Sequence, residues 1–367
     1  MIINSRGTTL RRALLAAATV ALAALDPGQV AAADRPDLAA ACFPAAALAS
    51  RPEERAIARH TGIRDTGPPS AGTTALAPAP RGAIRRVALP AGRKLAALTF
   101  DFCEQPGEIA GYDGAIVDYL RTNRIRATLF MGGRWLTTHP ERTQQLLADP
   151  LFEIASHGWA HRNTRLLSGP DLLREITGPS RAYSAARASF ARSACIATKP
   201  AALTSVPAEI TLFRFPYGAC SPAGLDAVAA NGLRPIQWDV STGDPWPGQS
   251  AAAIANVMVR QTRPGSIILA HANGRGVHTA EALPIAIPRL KAMGYTFVTV
   301  SELLTAGRPD VVDSCYDAKP GDTDKYDRLP FARKPVAGTT RESWRTAITG
   351  AEPARKPTGK PADAVQR

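Results

Sequence analysis

The chain has 367 residues, 45% hydrophobic and 20% charged, enough apolar material for one large core or two modest ones, which marks it as a globular protein. A formal net charge of +13 raises nucleic acid as a partner. Much of the excess, however, lies among Pro, Gly and Thr at C-terminal positions such as Lys319, Arg333, Lys356 and Lys360, with no aromatic-interleaved basic motif, so nucleic acid is excluded and salt-sensitive contact with anionic envelope polymers is expected.

At the N-terminus Arg6, Arg11 and Arg12 precede an apolar run from Ala13 to Leu25, and Ala31, Ala32 and Ala33 stand before Asp34. This is the pattern of a secretory signal occupying residues 1–33. The run is shorter than the ~20 apolar residues of a membrane span, so a chain without a span after cleavage, secreted or periplasmic, is expected. Residues 34–86 are rich in Ala and Pro, and "DTGPPSAGTTALAPAP" from Asp65 reads as a linker, with a short helix around Glu53 to Arg59. A folded domain is expected over 87–316 and a basic, Pro-rich tail over 317–367, so both ends read as flexible extensions. Export permits disulfides, and the spacing of the five cysteines suggests Cys195 with Cys220 and Cys42 with Cys315.

From Val87 apolar strand-like runs alternate with helical stretches. "KLAALTFDF" is the first strand, and "DGAIVDYLRTN" places Ile116, Val117 and Leu120 on one helical face. "RATLFMGG", "LFEIASHG", "TLFRFPYG", "LRPIQWDV", "SIILAHAN" and "TFVTV" follow as strands with helices between them. Ser168, Pro170 and Asp171 form a capping-box start for the helix after the third strand. Ala191–Ala208 reads as an insertion, either a lid or wall of a cleft or a surface loop. Seven strands alternating with helices predict an α/β fold with a parallel sheet. Asp101, His157, Arg214, Asp239 and His271 stand at the C-terminal ends of different strands, where barrel enzymes carry their sites, which favours a (β/α) barrel.

His157 and His161 are four apart, a spacing that suits a divalent metal. Arg214, in "FRFPYG", cannot lose its proton and needs a carboxylate partner, which Asp101 or Asp244 can supply. Asp239 and Asp244 lie between Trp238 and Trp246, and His271 ends a nearly all-apolar strand.

This order of motifs, over roughly residues 93 to 305, resembles the polysaccharide deacetylases, carbohydrate esterase family 4 with its NodB-homology domain. The resemblance implies a distorted (β/α) barrel of about seven strands and an exported deacetylase that hydrolyses N-acetyl groups of a polysaccharide. It implies a divalent metal, zinc foremost, on His157 and His161; Asp101 as general base oriented by Arg214; the backbone N–H of Tyr217 as oxyanion donor; and His271 as general acid tuned by Asp244. Trp246 and Leu269 are expected against the acetyl methyl, with Trp238 and Asp239 beside them. The sequence departs from the family where a second aspartate, the usual third metal ligand, is replaced by Phe102. Glu104 or a water is expected to fill that position. Pro245 separates Asp244 from Trp246, so Asp239 is an alternative tuning residue. Two rival readings are a barrel that binds glycan without cleaving it and a related C–N hydrolase acting on a non-sugar amide.

Overall fold

The computed structural model describes residues 1, 35–59, 62 and 65–329. The expected signal segment, apart from Met1, and the tail beyond 329 lie outside the described residues. All the described strands and helices belong to the compact unit that begins at Ala32.

Eight parallel strands form the central sheet, in the order β6 (Arg234–Pro235), β5 (Leu212–Phe213), β4 (Phe152–Ser156), β3 (Ala127–Met131), β2 (Leu95–Phe102), β8 (Ile267–His271) and β7 (Val240–Ser241). The eighth, β9 (Thr296–Val298), pairs with the first half of β2, while β3 pairs with its second half. The two outermost strands, β6 and β7, are consecutive in the chain, with only residues 236–239 between them. The sheet therefore curls until its edges meet across one short segment, giving a distorted (β/α) barrel. The sequence counts seven strands and the structure eight, because "LRPIQWDV" changes partner from β5 to β8 midway and splits in two. Two antiparallel pairs stand beside the sheet, β1 (Ala83–Ala88) with β10 (Arg308–Val312) and the short Ala58–Arg59 with Glu108–Ile109.

The strands read as continuous apolar runs because both faces are buried. On β2, Ala96, Leu98, Phe100 and Phe102 face the helix-packed core, whereas Ala97 belongs to the separate cluster inside the barrel. On β8 the same alternation sends Ile268 and Ala270 outward to the helices and Ile267 and Leu269 inward. Helices α1 (Leu38–Cys42), α2 (Gly114–Thr122), α3 (Gly133–Thr138), α4 (Pro140–Ala148), α5 (Gly169–Ala191), α6 (Pro222–Ala230), α7 (Ala251–Gln261), α8 (Thr279–Ala292) and α9 (Val300–Thr305) accompany the sheet. Ser221 and Ser250 cap α6 and α7 by accepting the N–H of Gly224 and Ala253, and Thr299 with Glu302 forms a full capping box on α9. The box expected at Ser168 is not formed: its side chain makes no cap bond, and Asp171 lies 3.4 Å from Arg162 instead.

Three expectations are corrected. Residues 35–59 and 65–80 are no linker, for Leu38 and Ala39 enter the main core, Asp65 accepts from the Trp159 indole at 3.0 Å, and Leu76 packs where a Cβ on Gly232 would come within 2.2 Å of it. The helix near Glu53 is a single 3-10 turn over Pro52–Arg55. The disulfides are Cys42–Cys195 and Cys220–Cys315, each with Cα atoms about 5.5 Å apart. The first ties α1 to the 191–208 insertion, whose short helix (Ala194–Ala197) and 3-10 turn (Pro200–Ser205) pack beside α5. That insertion lines no part of the central cavity.

The bridges close loops of 153 and 95 residues, long enough that each restricts the unfolded chain strongly. Non-reducing peptide mapping is expected to recover Cys42–Cys195 and Cys220–Cys315 peptides; a Cys195–Cys220 peptide overturns this pairing. A Cys220→Ala, Cys315→Ala double variant should lose roughly 2–5 kcal/mol in denaturant unfolding.

Candidate active site

The C-terminal ends of the barrel strands open into a cavity of about 400 Å³. The alternation of β2 carries past its end: Asp101, Cys103 and Gln105 line the cavity, while Phe102 and Glu104 do not. Phe102 is fully buried edge-to-face on Trp135, with ring centroids 4.8 Å apart. Glu104, expected at the metal, faces the same way as Phe102. Its Oε2 accepts from the Ala110 N–H at 3.0 Å and from the Thr138 hydroxyl at 2.9 Å, and its Oε1 lies 3.8 Å from the Arg134 guanidinium. One residue of strand parity thus removes Glu104 from the site.

Asp101 is 3% exposed and sits opposite His271 in the β2–β8 register. Its Oδ1 accepts from Arg214 Nη1 at 2.7 Å. Arg214 has no exposed surface, also donates to Thr99 Oγ1 at 2.9 Å, and lies flat on the Phe130 ring at 3.8 Å. Of the two carboxylates the sequence offers Arg214, the partner is Asp101.

His271 is held in the same manner by Asp244. Asp244 Oδ1 accepts from His271 Nδ1 at 2.9 Å and from Thr242 Oγ1 at 3.0 Å, and its Oδ2 accepts from the His271 N–H and from Thr279 Oγ1. Burial by itself disfavours the imidazolium, but the facing Asp244 carboxylate outweighs it and holds His271 well above the ordinary histidine range. Asp239, the alternative tuning residue, does not reach His271: it is bound to the Ser266 hydroxyl, the Ile267 N–H and the Arg263 guanidinium.

His157 and His161 share the cavity with Cys103, and one donor atom from each of the three lies within 4.8 Å of the others. His157 Nδ1 donates to the Arg214 carbonyl at 3.0 Å, which turns Nε2 inward. That Nε2 is 3.3 Å from Asp101 Oδ2 but out of line for a hydrogen bond, and neither it nor His161 Nδ1 has a hydrogen-bond partner among the described residues. Buried imidazole nitrogens without partners are costly, and imidazole and thiolate are the donors zinc takes, so the residues present fit a divalent metal.

The loop carrying His161 is pinned from below. Gly158 takes φ +75° and His161 φ +50°, and Glu175 on α5 accepts from the N–H groups of Ala160 at 3.0 Å and Arg162 at 3.4 Å. Tyr217 likewise holds a left-handed backbone, φ 61°, packed edge-on against the His161 ring. Two of the three non-glycine residues with positive φ among the described ones are therefore at this site, where strain has a positional use.

Leu269 and Trp238 line the cavity, and Trp246 stands at it 65% exposed. Sequence reasoning missed Asp317, Lys325 and Tyr326, which complete the wall from residues assigned to the tail. Asp317 accepts from the Trp238 indole at 2.9 Å, Tyr326 lies on Tyr217 at 5.1 Å, and Arg165 ties this segment down through Asp324 and Asp327. It also missed Cys103, which strand parity alone would have found.

Residues 88–236 match the family model described as polysaccharide deacetylase. The peptidoglycan-N-acetylglucosamine deacetylase PgdA of Listeria monocytogenes is 27% identical over 212 residues, covering 57% of this chain and 39% of that protein; this chain thus spans about two fifths of that relative. A peptidoglycan-N-acetylglucosamine deacetylase of Bacillus cereus is 28% identical over 219 residues, covering 59% of this chain and 91% of that protein. Among solved structures, a CE4 family pseudoenzyme from Bacillus anthracis superposes with TM-score 0.49 at 23% identity, covering 64% of this chain and 72% of that one.

Burial pushes Glu175 up from 4.5 to about 7, against the N–H groups that favour its charge. A carboxyl whose folded pKa lies above its unfolded one contributes fully below about pH 4.5, loses that contribution as the pH rises to about 7, and is flat beyond. The stability of the wild type relative to Glu175→Gln should therefore fall by roughly 2–3 kcal/mol between pH 4.5 and 7.5. A difference that stays constant across that range in denaturant titrations overturns this account.

Proposed function

We propose that this chain is a metal-dependent deacetylase that hydrolyses the N-acetyl amide of an amino-sugar polysaccharide, exported to the cell envelope. The observation that carries this reading is the pairing of Asp101 with His271 on adjacent strands, each fixed by its own buried partner. A base and an acid held apart in this way can serve opposite ends of one hydrolysis. The named relatives support an N-acetylated glycan as substrate, and the two disulfides support an oxidising compartment.

His157 and His161 would hold the metal, zinc by their donor chemistry, and such an ion polarises an acyl carbonyl and acidifies a bound water. Asp101, its other oxygen committed to Arg214, takes the proton of the attacking water. The water oxygen bonds to the acyl carbon while the Tyr217 N–H donates to the oxygen that becomes negative. His271, kept protonated by Asp244, then delivers its proton to the nitrogen as the C–N bond breaks, and acetate and a free amine leave. Leu269 and Trp246 bound the space for the methyl group, and the exposed Trp246 face suits the apolar side of a sugar ring.

Acetate release from N-acetylglucosamine oligomers and peptidoglycan fragments tests this directly. Asp101→Asn and His271→Ala should each lower kcat by about 10²–10⁴ with the circular dichroism spectrum retained, and chelation should abolish turnover until zinc is restored. Glycan binding with no acetate release sinks the enzyme reading, and full activity of Asp101→Asn sinks its base.

A further inference from the structure

Cys103 is the only cysteine of the chain outside a disulfide, since Cys42, Cys195, Cys220 and Cys315 are all paired. A buried free cysteine ordinarily behaves as a small apolar side chain among apolar neighbours. Here the residue is 2% exposed yet belongs to the wall of the cavity, and its neighbours are two imidazoles with unpartnered nitrogens. The carbonyl that holds His157 Nδ1 fixes which nitrogen that ring presents, so this donor is pre-oriented by the protein itself.

We propose that Cys103, as a thiolate, is the third protein ligand of the metal, completing a Cys-His-His site in place of the carboxylate that Phe102 displaces. The inference rests on the metal-dependent reading above and names its ligand. Strand parity dictates the substitution. With Phe102 and Glu104 turned to the helix side, the next cavity-facing side chain after Asp101 is that of Cys103. The thiolate restores the single negative charge a carboxylate ligand would carry, and three protein donors leave a position open for water or substrate, as catalytic zinc sites require. The exchange of oxygen for sulfur changes what the site selects. A soft donor beside two imidazoles favours zinc or cobalt over manganese, magnesium and calcium, which prefer all-oxygen sets.

The test uses the purified full-length chain, stripped with a chelator and titrated with Co²⁺. One equivalent should bind with a near-ultraviolet thiolate-to-cobalt charge-transfer band, and zinc should protect the single free thiol from iodoacetamide. Neither readout needs a variant. Cys103→Ser should lose the band and at least about tenfold in cobalt affinity, while Cys103→Asp should bind without the band and lose discrimination between zinc and manganese. Cobalt bound with no charge-transfer band, equal alkylation with and without zinc, or undiminished affinity in Cys103→Ser overturns the assignment. A chain that binds no metal overturns both this ligand and the metal-dependent reading. A band without acetate release leaves the ligand standing and overturns the deacetylase alone.

Discussion

The Arg214 guanidinium has no solvent-exposed surface and cannot shed its charge, so the barrel must carry a carboxylate against it. Asp101 meets it at 2.7 Å, and the Phe130 face and Thr99 hydroxyl take up the rest of its environment. Removing one partner of such a pair typically costs 3–5 kcal/mol, because a bare charge is left in a dry place. Much of the site's geometry follows from this pair. Its stem lies inside the barrel, so Asp101 points up the axis into the cavity. The Arg214 carbonyl, fixed by the same residue, holds His157 in one orientation. Asp101 is also in register with His271, so the pair sets the distance across which any substrate must fit.

The same strand explains what can and cannot be read from the sequence. The α/β alternation, the strand ends and most of the ionisable residues at the cavity are legible because buried parallel strands are short apolar runs that stop at polar residues. Within such a run both faces are apolar, so the sequence carries no alternation to tell inward from outward. Chemistry alone assigns Glu104 to the cavity, while two-residue periodicity counted from Asp101 selects Cys103 and Gln105. The periodicity is reliable because the β2 ladder is continuous with β3 on one side and β8 on the other.

Other features depend on contacts between distant parts of the chain, which composition does not encode. Residues 65–80 look like a linker because Ala, Pro and Gly form no periodic pattern. They are held instead by single contacts such as Asp65 to Trp159 and the Ala79 N–H to the Ala229 carbonyl. Disulfide pairing is of the same kind. Cys195 is near Cys220 in sequence, but α1 brings Cys42 to it, and β10 ends beside Cys315, which reaches Cys220.

That second bridge has a consequence for the cavity. Cys315 immediately precedes the segment that supplies Asp317, Lys325 and Tyr326, and Cys220 closely follows the turn that sets Tyr217. The bridge therefore fastens two walls of the cavity at their bases, while Arg165 fastens the far end of the same segment through Asp324 and Asp327. With the Tyr326 ring tilted against Tyr217 and Tyr217 against His161, a chain of ring contacts runs from this late segment to the histidines. The matched family stretch ends at residue 236, and Asp244, Leu269, His271 and this wall all lie beyond it. Asp101, His157, His161 and Arg214 lie within that stretch and Asp244 and His271 after it, so the chemistry draws on both parts of the chain, whereas the wall of Asp317, Lys325 and Tyr326 comes wholly from the later one.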